Sequence, residues 1–267
     1  MNEKKLSVVI PSYKDPLLHK TIDSLLENSE LGDQLEIIVV LDGYWPVKQI
    51  KSDPRIKIIH LGANHGMRGA INSGMAIARG EFVARCDEHI MFSPGYDKVL
   101  TESCGDKDMM TGRRFFLNPE KWEIMKELPL VEHEKLVIQG GKKFAGQRWA
   151  SRDLEQKDVM ISETLACQGS FWILPRKIWN DEIKELQTDG YGPLIQDSHE
   201  VSFKVWKAGG RMMINKAMWY AHKHRSFKRC HNNGTPENPA NCDAGYKYAL
   251  DTWGEYYQNV IRKKWKI

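Results

Sequence analysis

Residues 81–92, EFVARCDEHIMF, run from an apolar stretch straight into Asp87, Glu88 and His89. Side chains two apart on an extended backbone point to the same side, so Asp87 and His89 would share a face. A carboxylate and an imidazole on one face begin a divalent-metal site. The plain alternative is a polar strand end that only closes the apolar run. These three residues alone do not decide between the two.

The segments around them narrow the choice. LSVVIP (6–11), LEIIVVL (35–41), RIKIIHL (55–61) and EFVARC (81–86) are apolar runs of strand length, as in strands covered on both faces. Between them, residues 15–28 carry Leu17, Leu18, Ile22, Leu25 and Leu26 at helical spacing. Residues 67–80 read as a second helix, with Gly80 as its C-cap. Strand–helix alternation of this kind predicts an α/β fold with a mostly parallel sheet and helices on both faces. Such sheets bind ligands at the carboxyl ends of their strands. Three polar strand ends follow in succession: Pro11, Ser12 and Tyr13; Asp42 and Gly43; Asp87, Glu88 and His89. They suggest a nucleotide site. No G-x-G-x-x-G or G-x-x-x-x-G-K-[ST] follows the first strand, which argues against a dinucleotide or P-loop fold.

Farther along, 93–160 is less regular. Its stretch 140–152, GGKKFAGQRWASR, has three glycines in the first seven residues and is expected to be a mobile flap. Residues 164–179 return to a buried pattern. DSHEVSFKVWKAGG (197–210) is an amphipathic helix stopped by Gly209 and Gly210, RMMIN is a short strand, and 243–265 is a closing helix. No linker divides the chain. One domain is expected over 1–267, with a nucleotide-binding half at about 1–92 and an acceptor half at about 160–267.

Apolar content of 41% and charged content of 28% are those of a soluble globular chain. The longest apolar runs, such as IIVVL, are far short of a membrane span. The charged start MNEKK leads to no signal-peptide apolar region, so a cytoplasmic location is expected. Cys86, Cys104, Cys167, Cys230 and Cys242 form no C-x-x-C pair and are expected as reduced thiols. His222, His224, Cys230, His231 and Cys242 match no common zinc spacing. The net charge is +4. Basic residues cluster with aromatic ones at 140–152, 222–229 and 261–266. They keep open a second reading as a DNA-acting protein, either a binding module or a transferase that glycosylates hydroxylated bases in viral DNA.

Taken together, LSVVIPSYKD, LEIIVVLDG and NHGMRGAINSGMAIARGEFVARCDEH resemble the opening signature of family 2 glycosyltransferases of the GT-A fold. The second half is similar to the polypeptide N-acetylgalactosaminyltransferases. Their D-x-H metal motif is matched by Asp87-Glu88-His89, and their helix E-x-x-E-x-S-F-x-V-W by DSHEVSFKVW, with Asp197 at the acid. Their H-x-x-R is matched by His222 to Arg225, and their closing aromatic and acidic helix by DTWGEYY. About 93–160 lies outside the resemblance. Ser198 stands at the second acid of the "ED" motif of inverting family 2 enzymes. The family's tryptophan before the helix acid is replaced by Tyr191 or Leu194. No stretch matches the family's lectin domain or membrane anchor, so donor sugar and peptide acceptor do not carry over.

The resemblance implies a metal-dependent transfer from a UDP-sugar to an acceptor hydroxyl on a protein Ser or Thr, a glycan, a lipid-linked sugar or a modified DNA base. Asp87, His89 and His222 would hold Mn²⁺ or Mg²⁺ against the diphosphate, with Glu88 a rival ligand. Pro11, Ser12 and Tyr13 would lie against the base. Asp42 would meet a uracil edge or ribose, or simply serve its turn. Arg68 would hold the diphosphate or begin a solvated helix, and Arg225 would pair with phosphate. Asn64 and Gly66 would shape a tight loop. Asp197 would be the acceptor-side carboxylate and also a helix N-cap. Glu200, one turn on, would support it or remain a solvated charge. Trp172 and Trp206 would line the sugar pocket or fill the core. With Asp197 in place of the "ED" pair, retention of configuration is expected.

Overall fold

A computed structural model describes residues 3–167, 169–224, 234–235, 238–239 and 242–267. The first half alternates as its periodicity predicts: β1 (Leu6–Ser12), α1 (Leu18–Glu27), β2 (Leu35–Asp42), β3 (Ile56–Leu61), α2 (Gly66–Ile77) and β4 (Phe82–Cys86). Then come β5 (Ile90–Phe92), α3 (Tyr96–Ser103), β6 (Met109–Asn118), β7 (Glu123–Ile124), β8 (Glu134–Gln139), β9 (Lys143–Arg148) and α4 (Ala150–Glu155). The last part holds β10 (Ile161–Thr164), β11 (Phe171–Pro175), α5 (Arg176–Ile178), α6 (Asp197–Lys207), β12 (Met212–His222), α7 (Cys242–Tyr256) and α8 (Arg262–Trp265).

The main sheet runs β10-β12-β6-β11-β4-β1-β2-β3, with β5 against β12. β1 pairs in parallel with both β2 and β4. The chain order therefore reverses at β1, and the carboxyl ends of β1, β2 and β4 open side by side, the usual place for a ligand in such a sheet. β11 pairs antiparallel with β4 and β6, while β12 pairs in parallel with β6, so strands of the second half complete the same sheet.

Both faces are covered, and strand alternation assigns each residue its side. Leu6, Val8 and Ile10 pack with Leu18, Ile22, Tyr96 and Leu100 of α1 and α3. Val9, Val83, Trp172 and Leu174 pack with Ala70, Ile71 and Met75 of α2 and with Val201 and Val205 of α6. Trp172 and Trp206 are core residues, 0% and 7% exposed, and line no sugar pocket. α6 ends as expected: Gly209, at φ +81°, donates to Trp206 O, and Gly210 donates to Val205 O.

Several expectations change. Gly80 does not cap α2, which stops at Ile77. Instead a Cβ at Gly80 would lie 2.5 Å from Ser7 N, so the glycine lets two backbone segments touch. The short strand RMMIN runs on to His222, because a register shift after Asn215 accommodates extra residues and pairing with β6 resumes at Trp219. The stretch 140–152 is no loose flap. It is the turn and second arm of the β8–β9 hairpin followed by α4, and Leu136 and Phe144 are buried against Phe203 and Tyr257. Cys86, Cys104 and Cys167 are free, but Cys242 is disulfide-bonded, against the expectation of five reduced thiols. Cys230 and His231 lie outside the described residues.

α2 touches β1 through Gly74, where an added Cβ would come within 2.3 Å of Val9 Cγ1. Gly74→Ala should lower stability by about 1–3 kcal/mol through overpacking, measured by urea denaturation. Gly62→Ala, with open space around it, is the control and should leave the midpoint unchanged.

Candidate active site

Asp87 leaves β4 at the switch point, and its N–H donates to Ser170 O at 2.8 Å. β12 returns 135 residues later, and its last residue, His222, pairs with Ile90 of β5. Lys223 N donates to His89 O. These two ladders bring Asp87 Oδ2 to 3.1 Å from His222 Nε2 and 3.8 Å from His89 Nε2. Asp87, His89 and His222 thus offer three ligand atoms within 4.8 Å of one another. Two imidazoles and one carboxylate oxygen are a donor set that suits Mn²⁺, and Mg²⁺ acceptably, with coordination positions left for oxygen ligands.

The electrostatics support this use. Burial would raise the Asp87 carboxyl, but Arg85, His222 and His89 together hold it well below the usual range. Burial pushes His222 down to about 3 despite the opposing pull of Asp87. The pair is therefore an ionised acid beside a neutral imidazole, the forms that bind a metal. A Glu88 oxygen lies within 4.8 Å of a His89 ring nitrogen and an Asp15 oxygen, and Glu88 Oε2 accepts Tyr13 N–H at 3.0 Å. It anchors the loop after β1 rather than joining Asp87 and His222.

Asp197 is 6% exposed and opens α6. It is the first helical residue, not the N-cap. That position belongs to Gln196, at φ +59°, whose Nε2 donates to Phe144 O. A carboxylate in the first turn is favoured by the helix dipole. Between Asp197 and Asp87 stands Arg85, which the sequence reading missed. Its Nη2 donates to Asp87 Oδ1 at 2.8 Å, and its Nε lies 3.8 Å from Asp197 Oδ2. Arg85 is 2% exposed. A charge inside the otherwise apolar run FVARC was the available signal, since a buried arginine needs buried acids.

Other candidates are placed differently. Arg68 is fully buried; its Nε donates to Gln187 O, its Nη1 to Ile195 O and its Nη2 to Glu200. It stacks on Tyr191. With the side chain 0% exposed and these partners around it, Arg68 does not face a diphosphate in the cleft, and the start of α2 is not solvated. Glu200 takes Arg68, Lys204 Nζ at 2.7 Å and Gln187 N–H. It clamps α2 to α6 instead of serving the acceptor. Asp42 is 3% exposed, and its oxygens accept Asn64 Nδ2 and His65 N–H. Its carboxylate therefore builds the loop before α2 and does not present itself to a base or ribose. Asn64 shapes that loop, and Gly66 begins α2 at φ +77°. Pro11, Ser12 and Tyr13 stand at the end of β1 beside Asp87–His89; Ser12 bonds the Tyr44 hydroxyl. Arg225 lies outside the described residues.

Asp15, Glu88 and His89, sharing His89 with the first group, also have metal-like spacing, and so does a third cluster, Glu132, His133 and Asp153. Its acids already face cations: Arg113 and Lys216 on Glu132, and Arg148 on Asp153. It is a structural network. The basic stretches at 140–152 and 261–266 meet at Trp149 and Trp265. There Arg152 lies over Trp265 and pairs with Glu155, while Lys264 pairs with Glu163. No helix among the described residues is long and apolar enough to cross a membrane.

Arg68→Ala tests its reassignment. Removing one partner of a buried pair costs about 3–5 kcal/mol, so the urea midpoint should fall sharply. A phosphate-binding role would instead appear as lost UDP affinity at unchanged stability.

The glycosyl transferase family 2 model matches residues 7–180. Among relatives in Bacillus subtilis (strain 168), the uncharacterized glycosyltransferase EpsJ is 32% identical over 133 residues, 43% of this chain and 38% of its own. The putative glycosyltransferase EpsH is 30% identical over 113 residues, 40% of this chain and 32% of its own. The uncharacterized glycosyltransferase YwdF is 29% identical over 190 residues, 69% of this chain and 63% of its own. The matches thus span less than two thirds of each relative. The crystal structure of GalNAc-T7 with UDP, GalNAc and Mn²⁺ superposes with a TM-score of 0.75 over 97% of this chain and 50% of that one, at 15% identity. That likeness establishes the GT-A arrangement of the sheet. With the model covering both the β1–β4 half and the strands that close the sheet through β11, the chain belongs to glycosyltransferase family 2.

Proposed function

We propose that the chain transfers a sugar from a UDP-sugar to an acceptor hydroxyl, with Mn²⁺ or Mg²⁺ held by Asp87, His89 and His222. The convergence of Asp87 Oδ2, His89 Nε2 and His222 Nε2 at the switch point carries this reading. GalNAc-T7, of the same fold, was solved with UDP, GalNAc and Mn²⁺. A divalent metal held there would supply Lewis-acid neutralisation of the diphosphate leaving group.

The chain's own residues do the rest. Pro11–Tyr13 line the base side of the cleft, and Glu88 fixes that loop through Tyr13 N–H. Arg85 binds Oδ1 of Asp87 and leaves Oδ2 facing His222 Nε2 and His89 Nε2 in the ligand set. The same guanidinium steers Asp197, which orients the acceptor hydroxyl and steadies positive charge developing on the sugar. Ser198, next along α6, cannot act as the base of an inverting reaction. The proposal therefore takes Asp197 as an orienting group rather than a base, and the reaction as retaining: the acceptor attacks from the leaving-group side, and the departing phosphate takes its proton.

With Mn²⁺ and a panel of α-linked UDP-sugars, slow UDP release should be measurable, should vanish on chelation, and should fall at least about 100-fold in Asp87→Ala. Proton NMR of the first-formed product should show an α-linkage. Turnover indifferent to chelation would contradict the metal reading, and a β-linked product would contradict retention.

A further inference from the structure

Behind the three ligand atoms lies a contact that the proposed chemistry does not use. His89 Nδ1 is 3.0 Å from Asp15 Oδ2, and His89 is 1% exposed. Asp15 sits in the loop between β1 and α1, where its Oδ1 also accepts Leu17 N–H at 2.8 Å. One oxygen thus fixes the start of α1 while the other faces the imidazole. With a carboxylate as acceptor, Nδ1 carries the proton, and the lone pair is left on Nε2, the atom that faces Asp87 Oδ2. His222 differs: its Nδ1 has no hydrogen-bond partner among the described residues.

We infer that Asp15 is a positioning residue for metal binding, holding His89 in the tautomer and ring orientation that presents Nε2. The inference rests on the proposed function and adds a residue to it. Asp15 also links two parts of the site. The loop it occupies is tied to the Asp87–His89 segment twice, by Tyr13 N–H on Glu88 and by His89 on Asp15. The segment expected to meet the base and the segment that offers metal ligands are therefore held as one piece. Partners of this kind typically set metal affinity by about 10–100-fold.

Two substitutions separate this role from a structural one. Asp15→Ser keeps a cap for Leu17 N–H but is too short to reach His89. Asp15→Asn keeps the size but has a single acceptor oxygen: with that oxygen on Leu17 N–H, it turns an N–H toward His89 and cannot hold the proton on Nδ1. Mn²⁺ affinity is read from the EPR signal of free Mn²⁺ on the full chain, and histidine coordination from nitrogen couplings in pulsed EPR. Asp15→Ser and the near-isosteric Asp15→Asn should each weaken Mn²⁺ about 10–100-fold and lose one of two imidazole couplings, while the urea midpoint of Asp15→Asn stays at the native value. If the native chain binds Mn²⁺ and Asp15→Ser matches it in affinity and couplings, the assignment of Asp15 is overturned alone. If the native chain itself binds no Mn²⁺, the metal reading falls and the role of Asp15 with it.

Discussion

The site depends on keeping one carboxylate ionised where burial alone would neutralise it. Asp87 sits at the end of a fully buried strand, and a lone acid there would take up a proton. Arg85, two residues earlier on the same face, supplies the compensating charge at 2.8 Å. That arginine is itself buried and needs acids around it, which Asp87 and Asp197 provide. Neither half of the site is independent. Asp197 and Asp87 share one cation, Arg85, so the geometry of each constrains the other.

The rest of the fold serves to bring these groups together. β4 delivers Arg85 and Asp87 in one alternation, α6 brings Asp197 to the same face, and β12 returns His222 after 135 residues. The register shift in β12 matters because pairing that ended at Asn215 would stop well short of Ile90, the partner of His222. The Arg68–Glu200 pair serves the same end from below. It locks α2 against α6, and so fixes the helix whose first residue is Asp197.

Much of this was legible in the sequence, for physical reasons that also explain the misses. The strands β1, β2 and β4 are apolar runs because both sheet faces are covered there, whereas β3, at the sheet edge, is only partly buried with Ile58 42% exposed, and the helices show their buried stripe. Asp87, His89 and His222 could be grouped from their types and order, and the fold brings their ligand atoms within 4.8 Å of one another. Arg68, Glu200 and Asp42 were misplaced because a charged side chain looks the same in sequence whether it meets solvent, a ligand or a buried partner. Their partners lie 132, 132 and 23 residues away, a separation that no local pattern encodes. The β8–β9 hairpin was obscured by its glycines, which form its turn, while Leu136 and Phe144 carry its packing. β12 was cut short at its irregularity, where alternation breaks although the strand does not.

Anomalous diffraction from crystals soaked with UDP and Mn²⁺ tests the central claim most directly. The account predicts one manganese peak bonded to Asp87 Oδ2, His89 Nε2 and His222 Nε2, with diphosphate oxygens completing its shell. UDP bound without manganese beside Asp87, or manganese bound instead at Glu132, His133 and Asp153, would contradict it.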